Sequence, residues 1–450
     1  MKNNSRFSLA IIMFLIMPGT AILSVRNSYA YPLDAQDSGI GRLQGYKPEV
    51  AAKGAVKQPP GALLSTRDIH LNLESSSGAN WDFNDSGRDP DLQRAMDTMF
   101  KARNPSYGVV VVDITNPEQI AWGSVRENIS QMPGSVGKII TMLGFFSELS
   151  RAFPDVKDRR KLLSEHKVIA GEWVKWDEHS VPRYNAETNV LRKAAIQPGD
   201  EFTLAEWLDH MIASSANSAA ATIWKETVLL RHFSKAYPPT SEQEARFFRE
   251  TPRKTLWDLA SKAVSEPMIA AGLNPDILWV GSFWTRTAKT LIPGNGNSRA
   301  TPLEMARYLL RLEQGKLVDG WSSLEMKKYL YTTTRRYRYI FSEELKNAAA
   351  FFKSGSFYKC QPEPEFSCGK YKGNVQNVMN SISIIETPAQ AGAGQKRYIV
   401  ALISNVLRTN SAWDHARIGA AIEEMVQTRK AVKVKEEGGA DAIRASGGQE

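Results

Sequence analysis

The chain has 450 residues, of which 42% are hydrophobic and 23% charged, a composition typical of a globular protein with a sizeable core. This excludes a largely disordered chain, a collagen-like repeat and a small disulfide-stapled domain. The net charge of +9 is a small excess for this length and gives little support to nucleic-acid binding. Six scattered histidines without metal-binding spacing predict no metal site, and no motif indicates a cofactor.

The first 30 residues have the pattern of an export signal. Lys2 and Arg6 precede an apolar run at residues 9–17, and Ser-Tyr-Ala at 28–30 resembles a cleavage site. An uncleaved anchor is the alternative, although the run is short for a bilayer span. We expect a cleaved signal peptide, a periplasmic or extracellular protein, and no membrane span after cleavage.

Residues 31–88 are rich in Gly, Pro and Ser and lack sustained periodicity, which is typical of a linker or an irregular arm over the domain surface. Folded structure is expected from Asp89, an N-cap residue that precedes helically spaced apolar residues. The elements expected after this helix, in chain order, are strands at residues 107–113 and about 119–125, a buried helix at 135–149, a helix-rich region at about 140–330 with an amphipathic helix beginning at Thr301-Pro302, strands at 348–357, 375–386 and 397–406, and a helix at 413–429.

Strands therefore lie at both ends of the sequence, with helices between them. This order predicts an α+β fold with three layers (α/β/α), in which about five strands form one central antiparallel sheet flanked by helices. An all-helical subdomain is inserted at about 140–330, and the active site is expected at its interface with the sheet. The predicted catalytic domain spans residues 89–430, and residues 431–450 are expected to be a disordered tail.

The first motif with chemical potential is Ser135-Val-Gly-Lys138, at the start of the buried helix. The spacing places both side chains one turn apart on the same face. Desolvation lowers the pKa of a lysine, so a neutral Lys138 could accept the proton of Ser135. A helix N-cap serine followed by a lysine that extends to solvent explains the same pattern.

Two further motifs follow in chain order. Ser215-Ala-Asn217 lies in a run of small residues, where other groups can approach the backbone closely, and Lys353-Ser354-Gly355 lies at a predicted strand. Such a strand at the edge of a cleft would offer a backbone N–H group, a hydroxyl and a positive charge to a carboxylate. A packed helix turn would explain the second motif by itself, and a strand-end turn would explain the third. All three motifs in this order, however, are hard to obtain by accident.

In these motifs the sequence resembles the penicillin-recognising serine hydrolases, and within them the class A β-lactamases, whose signature is S-x-x-K, S-D-N and K-T-G. The resemblance extends to residues 198–220 and 292–306 and covers about residues 90–430. It implies an exported serine acyl-hydrolase in which Ser135 is acylated, Lys138 accepts its proton and Ser215 relays the proton to the leaving nitrogen.

The resemblance also implies substrates and binding roles. Asn217 would bind the amide side chain of the substrate, and Lys353 and Ser354 would bind its carboxylate, with Gly355 beside them in the substrate-binding strand. The backbone N–H groups of Ser135 and Ser356 would form the oxyanion hole. The implied partners are β-lactams or peptidoglycan stem peptides, and we expect a monomer.

Two departures from the family pattern affect the expected chemistry. Ala216 stands where the family has Asp, so we expect a buried hydrogen bond to be missing. Trp284-Thr285 and Lys289 stand where class A enzymes have Trp-Glu-x-x-x-Asn, so the glutamate that activates the deacylating water is replaced by Thr285. A long-lived acyl-enzyme is expected.

Three functional hypotheses remain open at this stage. The first is a D,D-peptidase or penicillin-binding protein that acylates on penicillin and turns it over slowly. The second is a true β-lactamase with an unrecognised deacylation base. The third is a catalytically weak cell-wall-binding module that retains the cleft without turnover.

Two features flank the strand that carries Lys353. The basic cluster at residues 335–338 is interpreted as a solvated face, with an additional arginine for the substrate carboxylate as the alternative. Cys360 and Cys368 follow the strand, and in an oxidising compartment they are expected to form a disulfide beside the cleft. Two free thiols are the alternative.

Overall fold

The strands and helices form around one central sheet. The computed structural model describes residues 38–47, 66–84, 87–333, 337–389 and 394–429, so the predicted export signal and C-terminal tail lie outside the described residues. The strands are β1 (Gly108–Asp113), β2 (Ala121–Val125), β3 (Lys167–Ile169), β4 (Ser180–Asn185), β5 (Val190–Ala195), β6 (Glu201–Thr203), β7 (Ala349–Lys359), β8 (Gln376–Thr387) and β9 (Lys396–Asn405). The α-helices are α1 (Pro90–Phe100), α2 (Lys138–Ala152), α3 (Val156–Glu165), α4 (Leu204–Ile212), α5 (Asn217–Phe233), α6 (Ser241–Glu250), α7 (Arg253–Ala270), α8 (Arg286–Leu291), α9 (Pro302–Glu313), α10 (Gly320–Tyr331) and α11 (Ser411–Thr428).

The central sheet has the order β2-β1-β9-β8-β7, and all its neighbouring strands are antiparallel. Every residue of β1 is buried, because both faces of the sheet are covered and successive side chains point to opposite faces. Val109 and Val111 pack with α1 and α11, whereas Val110 and Val112 pack with the helical region. The predicted three-layer α+β fold with a five-stranded antiparallel sheet is confirmed.

The inserted region is mainly helical and is centred on α2, which packs against α5 and α7. The expectation that it is all-helical is wrong in detail, because it also contains two small antiparallel pairs, β3–β6 and β4–β5. The sequence did not predict these strands because they are short. Leu191 is the only fully buried residue of β5, so no extended alternation of apolar and polar residues distinguishes this strand in the sequence.

The described parts of the Gly/Pro/Ser-rich arm pack onto the domain. Leu43 and Tyr46 are completely buried in the helical core. Arg42 forms a buried two-pronged ion pair with Asp209 of α4, with nitrogen–oxygen distances of 2.6 and 2.7 Å, and it donates a further hydrogen bond to the carbonyl of Thr332. This segment therefore contributes to the core rather than only crossing the surface.

Within the part of the chain that the structure describes, no helix combines the length and apolar character needed to cross a membrane.

Candidate active site

The first motif forms a serine–lysine pair at the start of α2. Ser135 lies in a single 3₁₀ turn, Gly134–Gly137, and Lys138 is the first residue of the α-helix that continues from it. Lys138 Nζ lies 2.9 Å from Ser135 Oγ and 2.7 Å from Asn217 Oδ1. The structure therefore brings residues of the first and second motifs together, although they are 79 positions apart in sequence.

Lys138 is completely buried, whereas Ser135 is partly accessible. Burial lowers the pKa of Lys138 to about 7, and the negative charge of Asp177 opposes this effect. A neutral amine keeps N–H groups to donate to Asn217 and gains a lone pair that can accept the hydroxyl proton of Ser135. The alternative in which Lys138 extends to solvent does not apply, since its side chain has no exposed surface.

Ser215 links the second motif to the third. It adopts a left-handed backbone conformation with φ of 62° between α4 and α5, and its Oγ accepts a 2.8 Å hydrogen bond from Lys353 Nζ. Lys353 also donates to the carbonyl of Ser354 at 2.9 Å. Burial lowers the pKa of Lys353 well below its usual value, and the nearby charges of Lys138 and Arg338 lower it further.

Gly355 allows the turn that holds Ser135 to lie directly against β7. A Cβ atom at Gly355 would stand 2.4 Å from the carbonyl oxygen of Pro133 and 2.6 Å from the backbone nitrogen of Ser135, well inside contact distance. A Cβ at Gly134 would lie 3.2 Å from the nitrogen of Ser356. The backbone N–H groups of Ser135 and Ser356 therefore belong to two segments that meet without intervening side chains.

Arg338 is a site residue whose role the sequence interpretation assigned only as an alternative. Its guanidinium donates to Ser354 Oγ at 2.6 Å and to Ser356 Oγ at 2.9 Å, and the residue is only 8% exposed. The solvated-face interpretation is therefore wrong for Arg338, because this side chain turns inward onto β7. The sequence signal was the cluster of arginines before the strand, of which Arg335 and Arg336 lie outside the described residues.

Trp284 contacts the site, and Thr285 follows it at the start of α8. Lys138 Nζ lies 4.4 Å from the centre of a Trp284 ring, a cation–π geometry when the amine is charged. Thr285 is buried, and its hydroxyl donates to the carbonyl of Trp173 at 2.8 Å and accepts from the N–H group of Ala288 at 3.1 Å. Thr285 therefore caps α8 and offers no carboxylate to the site.

Asp177 is a second residue that the sequence analysis did not identify. It lies in the connection before β4, and its Oδ2 accepts hydrogen bonds from the backbone N–H and the hydroxyl of Ser218, both at 2.8 Å. Ser218 directly follows Asn217 in α5. A single carboxylate within a charged loop gives no pattern by which the sequence could have revealed this contact.

The structure shows a disulfide and a cavity in other parts of the chain. Cys360 and Cys368 form a disulfide in the connection between β7 and β8. A cavity of about 500 Å³ is lined by residues that include Trp173, Lys225 and Phe248, and none of the predicted site residues lines it. Among the described residues, no group of three or more His, Cys, Asp or Glu side chains is arranged to hold a metal ion.

Comparison with known proteins gives a family match. Residues 91–405 match the sequence profile of the family described as the β-lactamase enzyme family. A search of curated proteins found no match. Among solved structures, the chain is similar to a mutant of PBP-A in an acyl-enzyme complex with penicillin G, with 12% identity, coverage of 75% of this chain and 97% of that chain, and a TM-score of 0.45.

Two bacterial proteins give similar values. A β-lactamase from Sphaerobacter thermophilus matches with 15% identity, coverage of 75% of this chain and 96% of that chain, and a TM-score of 0.46. A β-lactamase from Chitinophaga pinensis matches with 13% identity, coverage of 75% and 99%, and a TM-score of 0.46.

Proposed function

The chain belongs to the β-lactamase enzyme family and is a serine hydrolase of the type formed by β-lactamases and penicillin-binding proteins. From this premise we propose that it is an exported acyl-hydrolase that forms an acyl-enzyme at Ser135 with β-lactams or D-Ala-D-Ala-type peptides, and that it deacylates slowly. Its partners are β-lactams or peptidoglycan stem peptides, which it meets as a monomer outside the cytoplasm.

The observation that carries the proposal is the buried contact between Lys138 and Ser135. Lys138 Nζ, 2.9 Å from Ser135 Oγ, takes the hydroxyl proton as Oγ forms a bond to the substrate carbonyl carbon. The carbonyl electrons move onto oxygen, and the N–H groups of Ser135 and Ser356 stabilise that charge. When the carbon–nitrogen bond breaks, Ser215 gives its hydroxyl proton to the leaving nitrogen and receives the proton that Lys138 took from Ser135, so that Lys138 is neutral again.

Substrate orientation is assigned to polar groups on either side of Ser135. The Asn217 carboxamide binds the amide side chain of the substrate. The substrate carboxylate is held by Lys353 and Ser354, which Gly355 places directly against the Ser135 turn, and by the additional positive charge of Arg338. This assignment is supported by the hydrogen bonds that join Arg338 to the hydroxyls of Ser354 and Ser356, since a guanidinium suits carboxylate recognition.

Slow deacylation is supported by the surroundings of Thr285. Hydrolysis of the ester at Ser135 needs a base that removes a proton from the attacking water. The Thr285 hydroxyl is occupied by two hydrogen bonds within α8 and to Trp173, and a hydroxyl is not a base at neutral pH. The acyl-enzyme therefore persists after the first step.

The proposal is tested by following the intact mass of the protein over time after mixing with benzylpenicillin. We expect an increase equal to the whole penicillin, because the leaving nitrogen remains attached after ring opening, and we expect this adduct to persist. Ser135→Ala is the matched control and should remain unmodified. An adduct that survives in Ser135→Ala, or an unchanged mass in the unmodified protein, would refute the acyl-enzyme.

Nitrocefin hydrolysis separates the alternatives. Rapid turnover with no lasting adduct supports a true β-lactamase and contradicts slow deacylation. If neither an adduct nor turnover is observed, the hypothesis of a cell-wall-binding module is the one that remains.

A further inference from the structure

Helix α5, whose first residue Asn217 contacts Lys138, begins without a cap from its own segment. Its N-cap residue is Ala216, whose side chain has no hydrogen-bond acceptor, and no side-chain cap forms there from within the turn. The first N–H groups of a helix need acceptors from outside the helix. Buried N–H groups at the start of a helix would lower the stability of the fold if no other group accepted their hydrogen bonds.

A carboxylate from a distant part of the chain supplies that acceptor. Asp177 lies 41 positions before Ser218, and its Oδ2 accepts from both the N–H group and the hydroxyl of Ser218 at 2.8 Å. A negative charge at this position also interacts favourably with the positive end of the helix dipole. Asp177 therefore provides from a separate segment what Ala216 cannot provide locally.

The position of Asp177 is itself firmly held. Its Oδ1 lies 2.6 Å from His179 Nδ1, and its side chain is only 2% exposed. Burial alone would raise the pKa of Asp177, but the hydrogen bonds from His179 and Ser218 and the charge of His179 lower it to about 2. Asp177 is therefore ionised throughout the neutral range.

Asp177 bears on the reactive residues in two ways. Ser218 directly follows Asn217, whose Oδ1 lies 2.7 Å from Lys138 Nζ, so the contact with Ser218 fixes the start of the helix that presents Asn217. The charge of Asp177 also favours the protonated form of Lys138, and the charge of a protonated Lys138 in turn contributes to the lowered pKa of Lys353 on β7.

We propose that Asp177 is a positioning residue for the Ser135 site. Asp177 caps α5 from a distant segment, holds the Ser215–Asn217 turn against Lys138 and contributes the negative charge that balances this buried amine. The inference rests on the proposed acyl transfer at Ser135, because it assigns to Asp177 a role in that same reaction.

The test separates the cap from the charge. Asp177→Asn keeps an oxygen that can accept from Ser218 but removes the charge, whereas Asp177→Ala removes both. Glu178→Gln removes an exposed carboxylate one position away and is the matched control. The rate of adduct formation with benzylpenicillin is measured by intact mass from about pH 5 to about pH 9.

We expect Asp177→Ala to acylate about 10- to 100-fold more slowly at its plateau, because small displacements of catalytic groups have effects of this size. Asp177→Asn should stay within a few-fold at the plateau, but its rate should reach half-maximum at lower pH, because Lys138 loses its proton more readily without the negative charge. Glu178→Gln should behave like the unmodified protein. A purely structural role would leave the midpoint of Asp177→Asn unchanged.

A second measurement decides the inference independently of acylation. The titration of Lys138 is followed by NMR of its ¹³Cε resonance, assigned by its absence in Lys138→Met, in the unmodified protein and in Asp177→Asn. A lower midpoint in Asp177→Asn supports the inference, and an identical midpoint overturns it. If the unmodified protein forms no adduct, the proposed function fails, while this titration still decides whether Asp177 acts on Lys138.

Discussion

Lys138 should make the folded protein less stable at neutral pH than at alkaline pH, and Lys138→Met should reveal this cost. The folded pKa of Lys138 is about 7, lowered by burial from 10.5. Because the folded state binds this proton more weakly than the unfolded state, stability is lost as the pH falls from about 10.5 towards 7. At 1.36 kcal/mol per pH unit, this interval corresponds to about 5 kcal/mol.

The more specific measurement is how the difference in the free energy of unfolding between the unmodified protein and Lys138→Met changes with pH. Lys138→Met also loses the contacts with Ser135 and Asn217, but that loss varies little with pH. Between pH 7 and pH 9, the stability of the unmodified protein should rise relative to Lys138→Met by about 2 kcal/mol, since the folded site is neutral over most of this interval while the unfolded lysine remains charged.

Urea unfolding of both proteins at these two pH values measures the difference. Lys327→Met is the matched control, since Lys327 is also completely buried but pairs with Glu313 and Glu386, which raise its pKa. The stabilising contribution of Lys327 is fully present below pH 10.5, so the titration of Lys327 itself adds no pH dependence between pH 7 and pH 9. A pH-independent difference for Lys138→Met would refute a neutral Lys138 and its role as proton acceptor.

Three further substitutions test separate parts of the structure. Gly355→Ala forces its new Cβ to 2.6 Å from the backbone nitrogen of Ser135, so penicillin adduct formation measured by intact mass should fall by about 100-fold, and a normal rate would contradict the close approach. Thr285→Ala removes a helix cap and should lower the free energy of unfolding by about 1 kcal/mol without shortening the lifetime of the adduct, whereas faster or slower loss of the adduct would show that Thr285 acts in deacylation. Arg42→Ala leaves Asp209 buried without its partner and should cost about 3–5 kcal/mol in urea unfolding, and a loss below about 1 kcal/mol would show that the arm does not hold to the domain through this pair.

Much of the fold could be predicted because its signals are local. The run of valines in β1 predicts a strand covered on both faces, and Asp89 before a helical spacing of apolar residues predicts the start of α1. The serine–lysine spacing at the start of α2 follows from helix geometry alone. In contrast, the short strands of the pairs β3–β6 and β4–β5 bury too few side chains to leave a periodic pattern.

The candidate site could be predicted in part for the same reason. Each of the three motifs carries its own residue types at fixed spacing, so Ser135, Asn217 and Lys353 were identified without the fold. The partners of these residues were not. Asp177 reaches the site from a segment without a motif, and the basic cluster that contains Arg338 gave its role only as an alternative, because contacts formed only by folding leave little signature in the neighbouring residues.

The sequence by itself determined the class of fold, the order of its elements and the candidate residues for acyl transfer. Only the tertiary structure decided the environment of those residues: the complete burial of Lys138, the inward turn of Arg338 and the capping of α5 by Asp177. The physical reason is that periodicity and spacing act within a few turns of chain, whereas desolvation and charge depend on which distant segments pack together.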